Sequence, residues 1–229
     1  AKSKIRGLET RGEQSFATVV REQFVSQTAS KKPDSYFPNG GRKLLIFSDG
    51  RQKAARLARD LPREVEFDSF RYALVLACHN LRKINQEPKL DSTIYKAFLQ
   101  VCERYHLNFF DNEGESQKKL LSDIKIFKED FDCDLIEALE SDEFKTPPLR
   151  FRQNLLRQLS DPFYSLNSAC VAVVSPSRSS LKQVVRRLKE NNLKDVWSEE
   201  IERQIVNLCS SWIQELLDRT AFDPSIQKE

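Results

Sequence analysis

Two short β-type runs, far apart in the sequence, stand in a chain whose other apolar residues recur at helical spacing. The first, Lys43-Leu44-Leu45-Ile46-Phe47, follows a Gly40-Gly41 turn and is apolar from Leu44 to Phe47, the pattern of a strand buried on both faces. The second, Cys170-Val171-Ala172-Val173-Val174, is rich in β-branched residues. Two strands do not make a stable sheet. They are expected either to pair with strands outside this chain or to lie as edges on a helical body. The first alternative marks the chain as a piece of a larger protein, and a start at Ala1 rather than Met fits that expectation.

The rest reads as helix. Phe16, Val19, Val20 and Phe24 share one face over 13–27, and the Pro-, Gly- and Ser-rich stretch 28–41 reads as a loop. After Ser48-Asp49-Gly50, the stripe Ala54, Leu57, Ala58 and Leu61 predicts a helix that ends at Pro62. Further helices are predicted over 67–84 (capped by Asp68 or Ser69), 91–106 (capped by Asp91 or Ser92) and 149–159 (Phe151, Leu155, Leu159). Leu120, Ile124, Phe127, Phe131 and Leu135 predict one long helix over 116–139. Ser175-Pro176 matches an N-cap followed by Pro, ahead of the stripe Leu181, Val184, Val185 and Leu188. A last helix, 198–219, carries Ile201, Ile205, Leu208, Trp212 and Leu216 on one face. Only six glycines in 229 residues argue against an all-β fold, whose turns consume glycine. The expected class is mainly α with a small α/β part.

Bulk charge decides little, because a net +3 implies no nucleic-acid partner; only local clusters of Lys and Arg could. The five cysteines, at 78, 102, 133, 170 and 209, form no CxxC pair and read as reduced thiols. Cys78, His79, Cys102 and His106 match no zinc spacing and lie in helical segments, so no metal site is expected. No apolar stretch reaches the ~18 residues of a membrane span. Residues 1–14 are polar and lack a signal-peptide pattern, so the expected location is the cytoplasm, with no membrane partner.

Chemistry concentrates at two strand-to-helix junctions. Ser48-Asp49-Gly50-Arg51-Gln52 lies where a strand ends and a helix begins, the place where open α/β folds bind ligands. First-turn N–H groups and the helix dipole favour an anion there, Arg51 offers a fork of donors, and Gln52 adds an amide. Lys53, Arg56, Arg59 and Arg63 continue as a basic strip. The second junction, Ser175 to Ser180, repeats the pattern with Arg178, Lys182, Arg186 and Lys189. The plain alternative is an N-cap followed by a solvated helix face, and an Asp49 cap would repel phosphate.

Several enzyme classes are excluded. Gly40-Gly41-Arg42-Lys43 lacks the frame and hydroxyl of a Walker A loop. No Gly-x-Ser-x-Gly is present, and two histidines argue against a His-based triad or HExxH site. Leu44 to Gly50 is faintly similar to haloacid-dehalogenase-type phosphotransferases, but Phe47 stands where a paired aspartate is needed. The acidic run Glu129 to Asp134 is expected to spread around a helix rather than converge on a metal.

Gly41 to Ala58 (GRKLLIFSDGRQKAARLA) resembles the F-S-D-x-R-Q-x-A-A segment of large bacterial superfamily 2 (DEAD/DEAH-box) helicases, found in DNA repair and in anti-phage defence systems such as Druantia and DISARM. That segment opens the second RecA-like lobe around helicase motif IV, and Thr10-Arg11-Gly12 with the helix through Phe24 looks like the linker into it. The resemblance implies that 1–64 begin that lobe, 65–168 form a helical insertion, and 169–229 are a strand–helix unit with a C-terminal helix. It implies that Ser48, Asp49, Arg51 and Gln52 shape a loop facing nucleic acid, joined in backbone contact by Lys53, Arg56, Arg178 and Lys182. The implied partners are DNA, the remainder of the helicase polypeptide and other defence-system subunits. ATP and Mg belong to the parent protein. The chain departs from the family in lacking the Walker A loop, the DExH box and the Gln-x-x-Gly-Arg-x-Gly-Arg arginine-finger motif, so it is expected to bind no cofactor by itself.

Two other readings stay open. Helices over 67–219 could form an interaction module for a partner subunit, which exposed Phe or Tyr would favour. A stand-alone phosphate-binding protein with a catalytic Asp49 is the third.

Overall fold

Apolar residues at helical spacing bury one stripe each, and the computed structural model realises this over most of the residues it describes. It describes residues 14–28, 42, 44–45, 51–90, 92–161, 165–191 and 197–218. Among these lie α1 (Gln14–Ser26), α2 (Arg51–Lys83), α3 (Thr93–Tyr105), α4 (Gly114–Phe131), α5 (Leu135–Glu140), α6 (Leu149–Ser160), α7 (Arg178–Asn191) and α8 (Glu199–Asp218). No strand occurs among the described residues.

The chain divides into two compact units, Ala1–Phe109 with Ile124–Glu143 and Phe110–Asp123 with Phe144–Glu229. In the first, α2 packs on α3, α1 on α2, and α5 on α3. Its core centres on Phe70, Phe98 and Phe109, whose ring centroids lie 5.0 to 5.6 Å apart. Tilted and edge-on rings at this spacing add to the roughly 2–3 kcal/mol that burying each side chain contributes. Leu74, Leu81, Tyr95 and Leu99 complete that core. In the second unit α6 and α7 pack on α8, and Leu120, Phe144, Phe151, Leu155, Leu159 and Leu166 are buried.

Several elements differ from expectation. α2 does not stop at Pro62 but runs through it for 33 residues. Proline removes the N–H that would bond to the Ala58 carbonyl, a loss of ~3 kcal/mol at most helix interiors. Pro62 is exposed, and the buried stripe Phe67, Phe70, Leu74, Ala77 and Leu81 holds the following turns in place. Ala58, expected in the buried stripe, is exposed, and Leu61 is half-buried.

The single helix expected over 116–139 is split. Asp132 (φ 45°) and Cys133 (φ 61°) take left-handed backbone, and Asp134 then accepts from Ile136 N at 2.8 Å to cap α5. Short polar side chains that compete for backbone donors favour such a break.

Of the first strand, Leu44 and Leu45 are described and carry no regular structure; Leu45 is 82% exposed, and Lys43, Ile46 and Phe47 lie outside the described residues. Cys170–Val174 is not a strand either. A tight turn precedes it, Cys170 has φ 56°, and the amides of Val171 and Ala172 both donate to the Leu166 carbonyl, at 2.9 and 3.2 Å. The Val174 carbonyl accepts from Gln214 Nε2 of α8. Backbone groups occupied this way are not available to a strand ladder. Val171 and Val173 point outward, 52% and 65% exposed.

Candidate nucleic-acid interface

Ser48 and Asp49 lie outside the described residues. Arg51 is the first residue of α2 and is exposed; Gln52, Lys53 and Arg56 follow it within the helix. The first turn of α2 holds no acidic residue. A cation at the positive end of a helix is locally unfavourable, and an anion brought there relieves it. Farther along, Arg59 is committed to its neighbour. Its Nε lies 2.7 Å from Asp60 Oδ1 and its Nη2 3.2 Å from Oδ2, and these hydrogen bonds push the guanidinium pKa upward. Arg63 is exposed.

The second junction is built differently from its sequence pattern. α7 starts at Arg178, and the cap is Ser177 rather than Ser175. Ser177 Oγ accepts from Ser180 N at 3.1 Å, and its carbonyl accepts from Leu181 N at 3.0 Å. Pro176 therefore precedes the cap instead of opening the helix. The hydroxyls of Ser177 and Ser180 are 2.7 Å apart. α7 carries Arg178, Lys182, Arg186, Arg187 and Lys189 against a single acid, Glu190. Lys182 is exposed, Arg186 sits 3.9 Å from Glu190, and Lys189 lies over the Trp197 ring at 5.7 Å. α8 has the opposite start, with Glu199, Glu200 and Glu202 in its first turn. Arg51 to Arg56 belong to the first compact unit, Arg178 and Lys182 to the second.

Among the described residues no group of three or more His, Cys, Asp or Glu could hold a metal. Burial raises the thiol pKa of Cys102 strongly, and burial, partly opposed by Arg82, raises that of Cys78; His79 and His106 are exposed. The acidic run breaks the helix instead of lining it: Asp134 caps α5. Glu103 receives Lys128 Nζ at 2.8 Å, and this bond holds its carboxyl below the usual range. No described helix is long and apolar enough to cross a membrane.

One feature escaped the sequence pattern. Lys96 is buried among the apolar residues of α3, and its Nζ donates to the carbonyls of Ala138 (2.7 Å), Ser141 (2.7 Å) and Leu139 (3.5 Å) at the end of α5. The signal available was a lysine inside the run Ile94 to Leu99, which helical projection alone would place in the core.

No family model and no solved structure matches the chain. The Druantia protein DruE of Escherichia coli (strain UMEA 4076-1) is 43% identical to it over 227 residues. The match covers 98% of this chain and 12% of that relative, so the chain is similar to a small part of a much longer protein.

Proposed function

We propose that this chain is a segment of an ATP-dependent DNA translocase that works in bacterial anti-phage defence, and that its part is to grip the phosphate backbone. The observation that carries the defence role is the 43% identity, along almost the whole chain, to a Druantia protein. The motor role rests on the Phe47-Ser48-Asp49-Gly50-Arg51-Gln52 segment and its likeness to helicase motif IV. In this reading 1–64 open a RecA-like lobe whose sheet is completed by other polypeptide, 65–168 are a helical insertion, and 169–229 are a further unit with a C-terminal helix.

Arg51 is the principal contact, supported by Gln52, Lys53 and Arg56 and by Arg178 and Lys182 of α7. Helices that begin on arginine with no acid in the first turn suit a phosphate. Such contacts position the strand and read no sequence. The residues present do not fit ATP and Mg: no Gly-x-x-x-x-Gly-Lys-Ser/Thr loop occurs in the chain, so no hydrolytic step is assigned to it. The remaining polypeptide of the translocase, and further defence subunits, are its proposed partners.

Fluorescence anisotropy with a labelled single-stranded oligonucleotide at low salt tests this. Arg51→Ala is expected to weaken binding by roughly tenfold, as loss of a charge-assisted phosphate contact does. Binding unchanged in Arg51→Ala, or absent from the intact chain at low salt, counts against the reading. A second reading, a helical interaction module, is favoured by the exposure of Tyr72 and Tyr105; co-purification of a protein partner after nuclease treatment would select it.

A further inference from the structure

The apolar arc of α8 is wider than its own chain covers. In helical projection Val206, Ile213 and Leu217 fall at one edge, and Leu217 is the helix's buried residue among those described. Leu208 and Trp212 fall at the other edge. They are one turn apart and form a single ridge, yet Leu208 is 69% exposed and Trp212 65%. α7, which packs on α8, is in the same condition: Leu181, Val185 and Leu188 are half-buried and Val184 is exposed. Isolated surface leucines need no explanation, but a Trp–Leu ridge continuous with a half-covered stripe marks an interaction surface.

The charges say what covers it. α7 has five basic residues and one acidic; α8 has five acidic residues (Glu199, Glu200, Glu202, Glu215, Asp218) and one basic, Arg203. Two ion pairs, Arg186–Glu190 and Arg203–Glu200, each run within a single helix. A surface that carries both signs on adjacent helices is its own complement. A twofold axis would set the basic α7 of one copy along the acidic α8 of the other, and symmetry would repeat the match.

We propose that the α7–α8 pair is a homodimerisation surface, on which a second copy of this chain covers the Leu208–Trp212 ridge. Tryptophan in a desolvated centre is the residue type that most often dominates such contacts. The dimer would engage the same α7 that carries Arg178 and Lys182, but its test needs no nucleic acid, so its failure and that of DNA binding are distinguishable.

Sedimentation equilibrium of the nuclease-treated 229-residue chain, from low to high micromolar, is the test. A dimer that dissociates on dilution is expected. Trp212→Glu is expected to weaken it by about a hundredfold, the size of an interface hot spot. A monomer at every concentration overturns the proposal, as does a dimer that Trp212→Glu leaves intact while circular dichroism shows the variant folded. If that variant unfolds, Trp197→Phe decides, because Trp212 is then the single tryptophan. Its emission should shift to the red on dilution as it returns to water; emission that is red at all concentrations overturns the proposal. Rising salt should weaken the dimer, and indifference to salt overturns the charge match.

Discussion

Lys96 brings a charge into a core of phenylalanine and leucine, and the arrangement is stable because three carbonyls at the end of α5 receive it. Those carbonyls are the negative end of a helix, so the ammonium satisfies both their hydrogen bonding and their dipole. Lys96→Met would keep much of the volume but strip Ala138 and Ser141 of a donor. Stability should fall by roughly 3 kcal/mol, read as a lower urea midpoint. The Glu103–Lys128 pair acts at the same scale but at the surface, with Lys128 exposed and Glu103 half-buried. The lowered Glu103 pKa contributes stability that is complete above the ordinary carboxylate range and fades as pH falls through the lowered value. The raised Lys128 pKa contributes stability that is complete below the ordinary lysine range and fades as pH rises through the raised value. The gap between wild type and Glu103→Gln in urea midpoint should therefore hold steady across neutral pH and close below about pH 4. A gap of the same size at the acid end would mean that the ion pair is not its source.

Elements obey rules that no single residue reveals. α1, α3, α6 and α8 follow their apolar periodicity to within two residues of the expected ends. α2 crosses Pro62 because the helix beyond it is anchored by Phe67, Phe70 and Leu74. Replacing Pro62 with Ala restores a donor to the Ala58 carbonyl and should stabilise the chain by up to ~3 kcal/mol, seen as a higher melting temperature. If melting is unchanged, the helix is already relaxed around the proline. Conversely, α4 ends early because Asp132 and Cys133 adopt positive φ and Asp134 is needed as a cap. Asp134→Ala should cost about 1 kcal/mol, with hydrogen exchange quickening at α5 amides first.

At the scale of the molecule, opposite charge is segregated by helix: α7 is basic, α8 acidic, and the net of the whole chain is only +3. Binding to a polynucleotide, if carried by Arg51, Arg178 and Lys182, should weaken steeply with salt. Removing one of these contacts should lower the slope of log K against log salt by about 0.7 on a single strand. A slope that stays the same in Lys182→Ala would remove α7 from the interface.

Helical periodicity, being local, assigned most helices and the basic character of the two junctions directly from residue order. The segment Gly41 to Ala58 likewise carries a resemblance to large bacterial helicases of DNA repair and of defence systems such as Druantia and DISARM, and of these the defence part agrees with the chain's similarity to a Druantia protein. Where the chain crosses a proline, where it breaks at Asp132, and which end of the α8 arc faces water depended on contacts between residues distant in sequence. Neither Leu44-Leu45 nor Cys170–Val174 becomes a strand within the described residues, although both have the composition for it. A helix closes its hydrogen bonds within its own segment, whereas a strand has to find them on another, and that partner is a property of the folded assembly.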